Sequence, residues 1–374
     1  MEMVYVEDCC EILDSMRVPI TASDRIAGEY PYYGANGIQD HVSDYIFDDE
    51  LVLLAEDGGN FGSKERPIAY RVSGKCWVNN HAHVLKPKAG LDVDYLCYSL
   101  MFYDVDGMVN GATRQKLTQA AMRKMKIPLR SIEEQVHVVD ESNRVIKIKE
   151  QRQQELALLD EIIKARFVEL FGDPANNEKG FIKAPMGDYM TLLTDFSSNG
   201  SYKTLDSRVT MYDEPKYAWM VRTTDLESGD MTSVKYIDES AYELLSRSKI
   251  YGGEIIMNKI GSAGKIYLMP QINMPASLGR NAFMFRYDEH INVKFLYHLL
   301  TSEYGQREIQ QYVRGAVTKT ITKNDARSVL IIVPPIELQN EFEVFVAQVD
   351  KSKVIAYTIY MNYSNRRSCH GNKF

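Results

Sequence analysis

The sequence predicts an α+β protein with two similar halves, each a mixed α/β domain followed by a helical segment. Three observations support this class. The segment that begins at Gly111 recurs at Gly315. Short apolar runs typical of buried strands occur in both halves. Residues 129–171 contain no Gly or Pro and carry apolar side chains three and four positions apart, which is the pattern of a long helix that buries one seam.

The internal repeat is clearest at the end of each half. Gly111-Ala-Thr-Arg-Gln-Lys-Leu-Thr-Gln aligns with Gly315-Ala-Val-Thr-Lys-Thr-Ile-Thr-Lys, and the same offset carries Gln135 onto Gln339. Residues 93–100 align with 293–300, after which the similarity fades upstream. A domain that was duplicated and then diversified where it meets its target would give this pattern, as would ordinary drift in loops.

The elements follow in the same order in both halves. We predict strands at 51–55, 77–85, 125–129, 254–258, 281–287 and 329–335, and helices at 94–102 and 293–303. The long helix ends at Gly172, which can cap it, before Pro174, which cannot continue it. The predicted boundaries are 1–130 for the first domain, 131–172 for the central helix, 173–334 for the second domain and 335–374 for a distal helix. The β-branched and aromatic run at 355–363 predicts that this distal helix is truncated or altered after 354.

Composition indicates a cytoplasmic globular protein. No stretch resembles a signal peptide, and no apolar run is long enough to cross a membrane. The five cysteines fit neither a zinc site nor a disulfide framework, so we expect free thiols. The net charge of −7 argues mildly against nucleic acid. However, residues 113–130 contain six basic and no acidic residues, and 314–327 contain four basic residues against Asp325 alone, at equivalent places in the repeat.

No catalytic constellation emerges. The glycine-rich runs at 58–64 and 261–265 lack the spacing of a phosphate-binding loop, so we expect turns or DNA-facing loops there. The chain contains neither a GxGxxG run nor the Asn/Asp-Pro-Pro-aromatic motif of amino-methyltransferases. Glu214-Pro-Lys216 is an isolated motif without the further acids that a nuclease metal site needs. His81 and His83 lie on one side of a predicted strand, but a metal would need a third ligand that the sequence does not identify.

Several polar residues suit contacts with DNA. Asn side chains pair well with adenine edges and Arg with guanine edges, and basic residues suit phosphates. The tract at 30–37 has the composition of a turn with aromatic residues. The candidate DNA-binding residues are Tyr32, Asn36, Lys64, Asn79, Asn80, His81, Arg114, Lys116, Arg222, Lys259, Lys265, Arg280, Asn281, Arg314 and Lys319.

The order and duplication of five motifs resemble the specificity subunit of type I restriction–modification systems. The resemblance covers about residues 4–354. The motifs are Tyr30-Pro-Tyr-Tyr-Gly-Ala-Asn-Gly-Ile, Gly111-Ala-Thr, Ile127-Pro-Leu-Arg-Ser-Ile-Glu-Glu-Gln, Leu170-Phe-Gly-Asp-Pro and Val333-Pro-Pro-Ile-Glu-Leu-Gln.

The resemblance implies two target recognition domains, each reading half of a split sequence in double-stranded DNA, and two helices packed antiparallel as a coiled-coil spacer. It implies that the chain is non-catalytic and binds no cofactor or metal itself. Two modification subunits would bind S-adenosylmethionine and methylate adenine, and restriction subunits would use ATP and Mg. The alternatives are a related system that methylates and cuts on both sides of its site, a coiled-coil protein-interaction scaffold without DNA specificity, and an unrecognised enzyme.

Overall fold

The computed structural model describes residues 2–111, 114–229 and 232–370, with side chains as far as residue 358. Ala112 and Thr113 of the first Gly-Ala-Thr motif, and residues 371–374, lie outside the described residues. The chain forms two compact units. The first comprises residues 1–157 and 354–374, and the second comprises residues 158–353. Within the described residues, no helix combines the length and apolar composition needed to cross a membrane.

In its described residues, the first unit contains ten strands and three short α-helices, and a long α-helix follows them. The elements are β1 (Glu2–Tyr5), α1 (Val6–Cys9), β2 (Cys10–Ile12), β3 (Ala27–Gly34), β4 (Gly37–Val42), β5 (Phe47–Ala55), β6 (Ala69–Val78), β7 (Ala82–Pro87), α2 (Val93–Leu100), β8 (Val109–Asn110), β9 (Lys116–Leu117), α3 (Gln119–Arg123), β10 (Lys126–Leu129) and α4 (Ile132–Phe171).

One six-stranded sheet organises this unit, in the order β2-β7-β5-β6-β3-β4. All its pairs are antiparallel except β3 with β6. Strand β5 is buried on both faces, which explains its continuous apolar run Leu51-Val-Leu-Leu-Ala. Strands β1 and β10 form a separate antiparallel pair. The predicted run at 77–85 is not one strand, because a turn at 79–81 separates β6 from β7.

The second unit repeats this plan with a different periphery. Its elements are β11 (Ile182–Pro185), β12 (Met190–Asp195), α5 (Tyr202–Arg208), β13 (Ala218–Val221), α6 (Thr223–Ser228), β14 (Lys235–Ile237), α7 (Glu239–Leu244), β15 (Lys249–Ile250), β16 (Ile255–Asn258), β17 (Ile266–Leu268), β18 (Ala276–Leu278), β19 (Ala282–Tyr287), α8 (Val293–Thr301), α9 (Glu303–Gln310), α10 (Lys323–Ser328), β20 (Leu330–Val333) and α11 (Ile336–His370).

The pairing of strands shows which parts of the two units correspond. The four-stranded order β2-β7-β5-β6 recurs as β12-β19-β16-β17, and the pair β1-β10 recurs as β11-β20. The rest differs, because the second unit adds the sheet β14-β13-β18-β15 where the first unit extends its main sheet. The correspondence therefore reaches further upstream than the sequence repeat indicates.

Capping chemistry defines both ends of α4. Ser131 and Glu134 form a reciprocal capping box, in which each side chain accepts a hydrogen bond from the other's backbone amide. At the other end Gly172 adopts a positive φ of 71° and donates its amide proton to the Val168 carbonyl. The helix ends at Phe171, as predicted.

Within the second unit, the end of α4 packs antiparallel against the beginning of α11. Asp160 pairs with Lys353 at 2.5 Å, and Arg166 pairs with Glu341 at 2.5 Å. Residues later in α4 therefore contact residues earlier in α11. The Phe167 ring lies edge-on to Phe342 with centroids 5.4 Å apart. The predicted antiparallel helix pair is confirmed here. The backbone of the distal helix α11 is helical from Ile336 to His370, a span that includes the region after 354 for which we predict a truncated or altered helix.

Candidate nucleic-acid interface

Three chain segments meet at one end of the main sheet of the first unit. The Glu56 amide donates to the His81 carbonyl at 2.9 Å, and the Leu117 amide donates to the Glu56 carbonyl at 2.7 Å. Gly58 donates to the Gln115 carbonyl at 3.2 Å. These hydrogen bonds join residues 56–58, 79–81 and 114–117 into one surface, which we call the first rim.

The second unit builds the same arrangement, the second rim, from residues 259–261, 279–281 and 314–321. The Lys259 amide donates to the Asn281 carbonyl at 2.8 Å, and Ile321 donates to the Lys259 carbonyl at 3.1 Å. Gly261 donates to the Lys319 carbonyl at 2.9 Å. Each bond has its counterpart in the first rim, so Glu56 and Lys259 occupy equivalent positions.

A polar triad covers the first rim. The Asp57 carboxylate lies 2.7 Å from both His81 Nδ1 and Arg114 Nη2. Arg114 also lies 3.4 Å from His81, yet its side chain remains 61% exposed. Asn36 reaches the same surface and donates to the Gly58 carbonyl at 2.9 Å. The more buried carboxylate thus holds the guanidinium in place while leaving its outer face open to a ligand. The exposed Asn80 lies beside this triad.

A tight hairpin dominates the second rim. Arg314 and Thr320 exchange two backbone hydrogen bonds, at 2.9 and 2.7 Å, and close a five-residue loop between them. Gly315 begins the loop with a φ of 106°. Val317 stands in this loop and is 98% exposed. Lys319 is exposed beside it.

Two further residues predicted to contact DNA, Arg280 and Asn281, belong to the second rim. Arg280 is exposed and forms an ion pair with Asp206. Asn281 takes a left-handed φ of 66°, a conformation that Asn tolerates better than most residues. The strand pairing places Arg280 in the position that Asn80 holds in the first unit. The two units therefore present different side chains from one backbone arrangement.

Most of the predicted cations already have an acidic partner in the chain. The remaining pairs are Lys116 with Glu56, Lys265 with Glu227, Arg314 with Asp325, and Arg222 with Asp225 at the start of α6. Glu56 and Glu227 come from distant parts of the sequence, whereas Asp325 lies within the basic tract 314–327 and Asp225 lies in the helix that Arg222 precedes. Lys64 is exposed on the loop that follows the first rim.

An open groove of about 520 Å³ lies beside the second rim, next to the loop at 261–265. Lys265 and Lys319 line it together with the amide side chains of Gln306 and Gln310. The amide groups of Gln306 and Gln310 donate to backbone carbonyl groups of residues 263, 264 and 300, so the groove offers its two cations at the surface where the sequence predicts phosphate contacts.

Three predicted contact residues are buried, and the structure corrects their assignment. Tyr32 is buried, and its hydroxyl group exchanges hydrogen bonds with the backbone of Ile20. Asn79 is buried and caps the turn between β6 and β7 through the His81 amide. Lys259 is buried against Asp195. Because a buried side chain cannot reach a base edge, these residues shape the rims from beneath.

A cluster of buried polar side chains supports the first rim. The Asp14 carboxylate accepts hydrogen bonds from His83, from the Val84 amide and from Gln119. Burial alone would raise the pKa of Asp14, but these hydrogen bonds outweigh it, so the pKa lies below its ordinary value. Asp14 thus ties the segment before the rim to β7 and to the start of α3.

Glu56 completes this cluster directly beneath the rim. Its carboxylate lies 2.6 Å from Arg17 Nη1 and 2.9 Å from Lys116 Nζ. Burial would raise the pKa of Glu56, but both cations outweigh that effect and the pKa is lowered. Glu56 is therefore a neutralised buried charge that fixes the backbone of the rim.

Asp195 plays the corresponding part in the second unit. Asp195 ends β12 opposite Phe283 of β19, and Asp14 lies two residues beyond the end of β2 and hydrogen-bonds His83 of the equivalent strand β7. Lys259 and Lys323 approach its two oxygens at 2.9 and 2.8 Å. Burial would raise the pKa of Asp195, but hydrogen bonds from Lys323 and then Lys259 hold it well below its usual range. The sequence gives no signal of this pair, because the residues between β2 and β5 and between β12 and β16 differ in length and type.

The structure also tests the possible metal site. His83 lies with Asp14 and Glu56 as a group whose ligand atoms fall within 4.8 Å of one another, so the third ligand missing from the sequence exists. However, both ring nitrogens of His83 already face oxygen atoms, of Asp14 and of the Leu117 carbonyl. Arg17 occupies the carboxylates as well. The group is consequently satisfied by its own hydrogen bonds, and His81 faces Asp57 instead.

Solved structures share the overall fold of this chain. The whole chain shares its fold with the crystal structure of a type I restriction–modification system S subunit from M. genitalium, at 12% identity and a TM-score of 0.58, covering 100% of this chain and 95% of the other. A second type I structure, from work on complex assembly, covers 98% of this chain and 93% of its own at 14% identity, with a TM-score of 0.52.

Sequence relatives carry the same class name. Residues 1–158 match the family described as Type I restriction modification DNA specificity domain. A type I restriction enzyme specificity subunit of Haemophilus influenzae is 35% identical over 139 residues, which span 37% of this chain and 36% of the relative. The MjaVIII specificity subunit of Methanocaldococcus jannaschii is 22% identical and covers 90% of this chain and 83% of its own length. The match to this specificity-domain family lies in residues 1–158, in agreement with the family resemblance of the motifs found there.

Proposed function

We propose that this chain is the non-catalytic DNA specificity subunit of a type I restriction–modification complex. Each unit reads one half of a bipartite site in double-stranded DNA through its rim. The helices α4 and α11 set the spacing of the half-sites and dock two modification subunits, with which restriction subunits associate. S-adenosylmethionine, ATP and Mg are used by those partners, and this chain binds none of them.

The observation that supports this proposal is the identical hydrogen-bonded frame of the two rims with different residues exposed on it. Asn80 corresponds to Arg280, and Asp57 corresponds to Ile260. Two domains with the same backbone arrangement but different exposed side chains can recognise different base sequences, because the bases differ in the donor, acceptor and methyl groups that they expose. An enzyme or a single-ligand site would have no need of two such surfaces.

The candidate contact residues fall into two groups. Asn36, Asn80, His81, Arg114, Arg280 and Asn281 stand at the rims and suit base edges. Lys64, Lys116, Lys265, Arg314 and Lys319 suit phosphates. Arg222 is partly exposed but is held by Asp225 and the Ser233 carbonyl, so its contribution is to the local fold of α6.

The proposal is tested by mapping methylated adenines in DNA exposed to this chain together with its modification partner. A bipartite motif with a fixed gap supports the proposal, and its length gives the spacing. Binding to that duplex should weaken steeply as salt is raised, because phosphate contacts release counterions. Binding that ignores salt and sequence would overturn the proposal and favour a protein-interaction scaffold.

A further inference from the structure

We propose that the second unit recognises a thymine through its 5-methyl group, with Val317 as the residue that contacts it. The inference rests on the proposed DNA-reading function and names the chemistry of one base in the half-site of the second unit. It comes from the hairpin of the second rim, which contains an apolar side chain where solvent contact is almost complete.

The hairpin is a rigid support rather than a loose loop. The two Arg314–Thr320 hydrogen bonds close it, and the bridge between Ile260 and Thr320 joins it to the neighbouring segment. Gly261 adds a third bond, through the Lys319 carbonyl. Val317 is therefore held out from the unit on a short, closed ribbon, so its position is reproducible.

The side chain of Val317 contributes little to the packing of the second unit. Val317 is 98% exposed, so it contributes almost nothing to a core. Ile260, which is joined to the same hairpin, is also exposed, whereas the equivalent residue of the first rim is Asp57. The second rim thus presents apolar groups where the first rim presents a charged one.

The charges around the hairpin indicate the partner. Arg314 and Lys319 flank Val317, and the groove that Lys319 shares with Lys265 suits a phosphate chain. The major groove of B-DNA admits an element as wide as a two-stranded β-ribbon, so this short hairpin loop fits it, and thymine exposes its methyl group there. Val317 would contact the thymine methyl group while the flanking cations Arg314 and Lys319 contact phosphates. Phosphate binding alone would not require an apolar side chain at position 317, so this side chain indicates contact with a base.

The experiment uses the full chain assembled with its modification subunits and the bipartite duplex found by methylation mapping. Each thymine of the site is replaced singly by deoxyuridine, which removes only the methyl group and leaves base pairing intact. One thymine, in the half-site whose preference changes in Arg280→Ala, should weaken binding about fourfold on replacement, the effect of one buried methyl group.

The variants assign that effect to the hairpin. Val317→Ala should bind the thymine and deoxyuridine duplexes equally, because the contact is gone in both. Ile182→Ala, which trims an exposed apolar side chain on β11 away from the rims and the long helices, should keep the fourfold difference. Both positions are exposed, so neither change endangers folding.

Each result is decisive. Specific bipartite binding without any thymine sensitivity in that half-site overturns the inference and leaves the proposed function intact. A fourfold difference that persists in Val317→Ala also overturns it, since another residue would then contact the methyl group. A complex that recognises no bipartite site overturns the proposed function and the inference with it.

Discussion

Gln135 and Gln339 make the same three hydrogen bonds in the two units. Gln135 accepts from the Asp92 amide and donates to the carbonyl groups of Gly90 and Arg130. Gln339 accepts from the Asn292 amide and donates to His290 and Pro334 in the same way. Both side chains are fully buried. Each glutamine locks the start of a long helix to the loop before α2 or α8.

Replacing either glutamine by alanine should destabilise its own unit by about 3 kcal/mol, because buried amide and carbonyl groups lose their partners. Hydrogen exchange is the suitable measurement. The Asp92 amide should exchange faster in Gln135→Ala, and the Asn292 amide in Gln339→Ala. Gln151→Ala, an exposed change on α4, should leave both amides protected. Unchanged protection in the two buried variants would refute the role assigned to these side chains.

Asp195→Asn should destabilise the second unit by about 3–5 kcal/mol, because it leaves Lys259 as a buried charge without its carboxylate. Trp219 is buried in the second unit and Trp77 lies in the first, so urea denaturation followed by fluorescence in a Trp77→Phe background reports the second unit. Asp213→Asn breaks the ion pair with Lys235 at an 83% exposed carboxylate and should cost less than about 1 kcal/mol. Equal effects of the two changes would contradict the assignment.

His298 should make the second unit acid-sensitive. Its ring lies edge-on to Phe342, 5.3 Å between centroids, and burial lowers its pKa from 6.5 to about 4. Lys353 and Lys294 lower it further, against Asp350 and Asp160.

The unfolded chain therefore binds a proton at His298 between pH 6.5 and about pH 4, where the folded chain does not. The stability that neutral His298 contributes is full above pH 6.5 and declines as the pH falls through that window. In His298→Gln, the urea midpoint should fall less steeply between pH 7 and pH 4.5 than in the native chain. His290→Gln, at an exposed ring, should keep the native slope. Parallel profiles for the native chain and His298→Gln would exclude this histidine as the cause.

Asp57→Asn should loosen recognition in the first unit while raising general DNA affinity. The change releases Arg114 and His81 from their shared carboxylate and makes the rim more positive. The ratio of specific to non-specific binding, measured at one salt concentration, should fall. Asp44→Asn makes the same charge change at an exposed site elsewhere in the unit and should preserve the ratio. A preserved ratio in Asp57→Asn would show that Asp57 does not orient the reading side chains.

The sequence predicts the helices and strands of this protein better than the contacts of its individual surface side chains. The spacing of apolar residues along α4 and the run at 51–55 define their elements, because helical and buried-strand patterns are local. The repeat also locates Gln135 and Gln339. In contrast, the tail at 355–370 is helical although its composition disfavours a helix, since propensity differences of well under 1 kcal/mol per residue are a weak guide.

Local sequence patterns do not identify the tertiary partners of the candidate interface residues. Lys259 resembles a surface lysine until Asp195, 64 positions earlier, is placed beside it by the register of β12 and β19. Tyr32 belongs to a motif with turn composition, yet its ring is covered by Arg25. Such partners depend on tertiary pairing, so the sequence identifies the right loops and misassigns individual side chains within them.

The equivalent positions of Glu56 and Lys259 also limit how new specificities can arise. A hybrid that joins the chain before β5 to the later part of the second unit would set Arg17 beside Lys259 and Lys323, with Asp14 in the place of Asp195. The reciprocal hybrid would bury Glu56 beside Asp195, with Lys116 but without Arg17. Both place like charges together beneath the rim, where pairing is what makes burial tolerable. Genetic exchange within a unit therefore destabilises the unit through mismatched buried charges. Exchange of whole units avoids this mismatch.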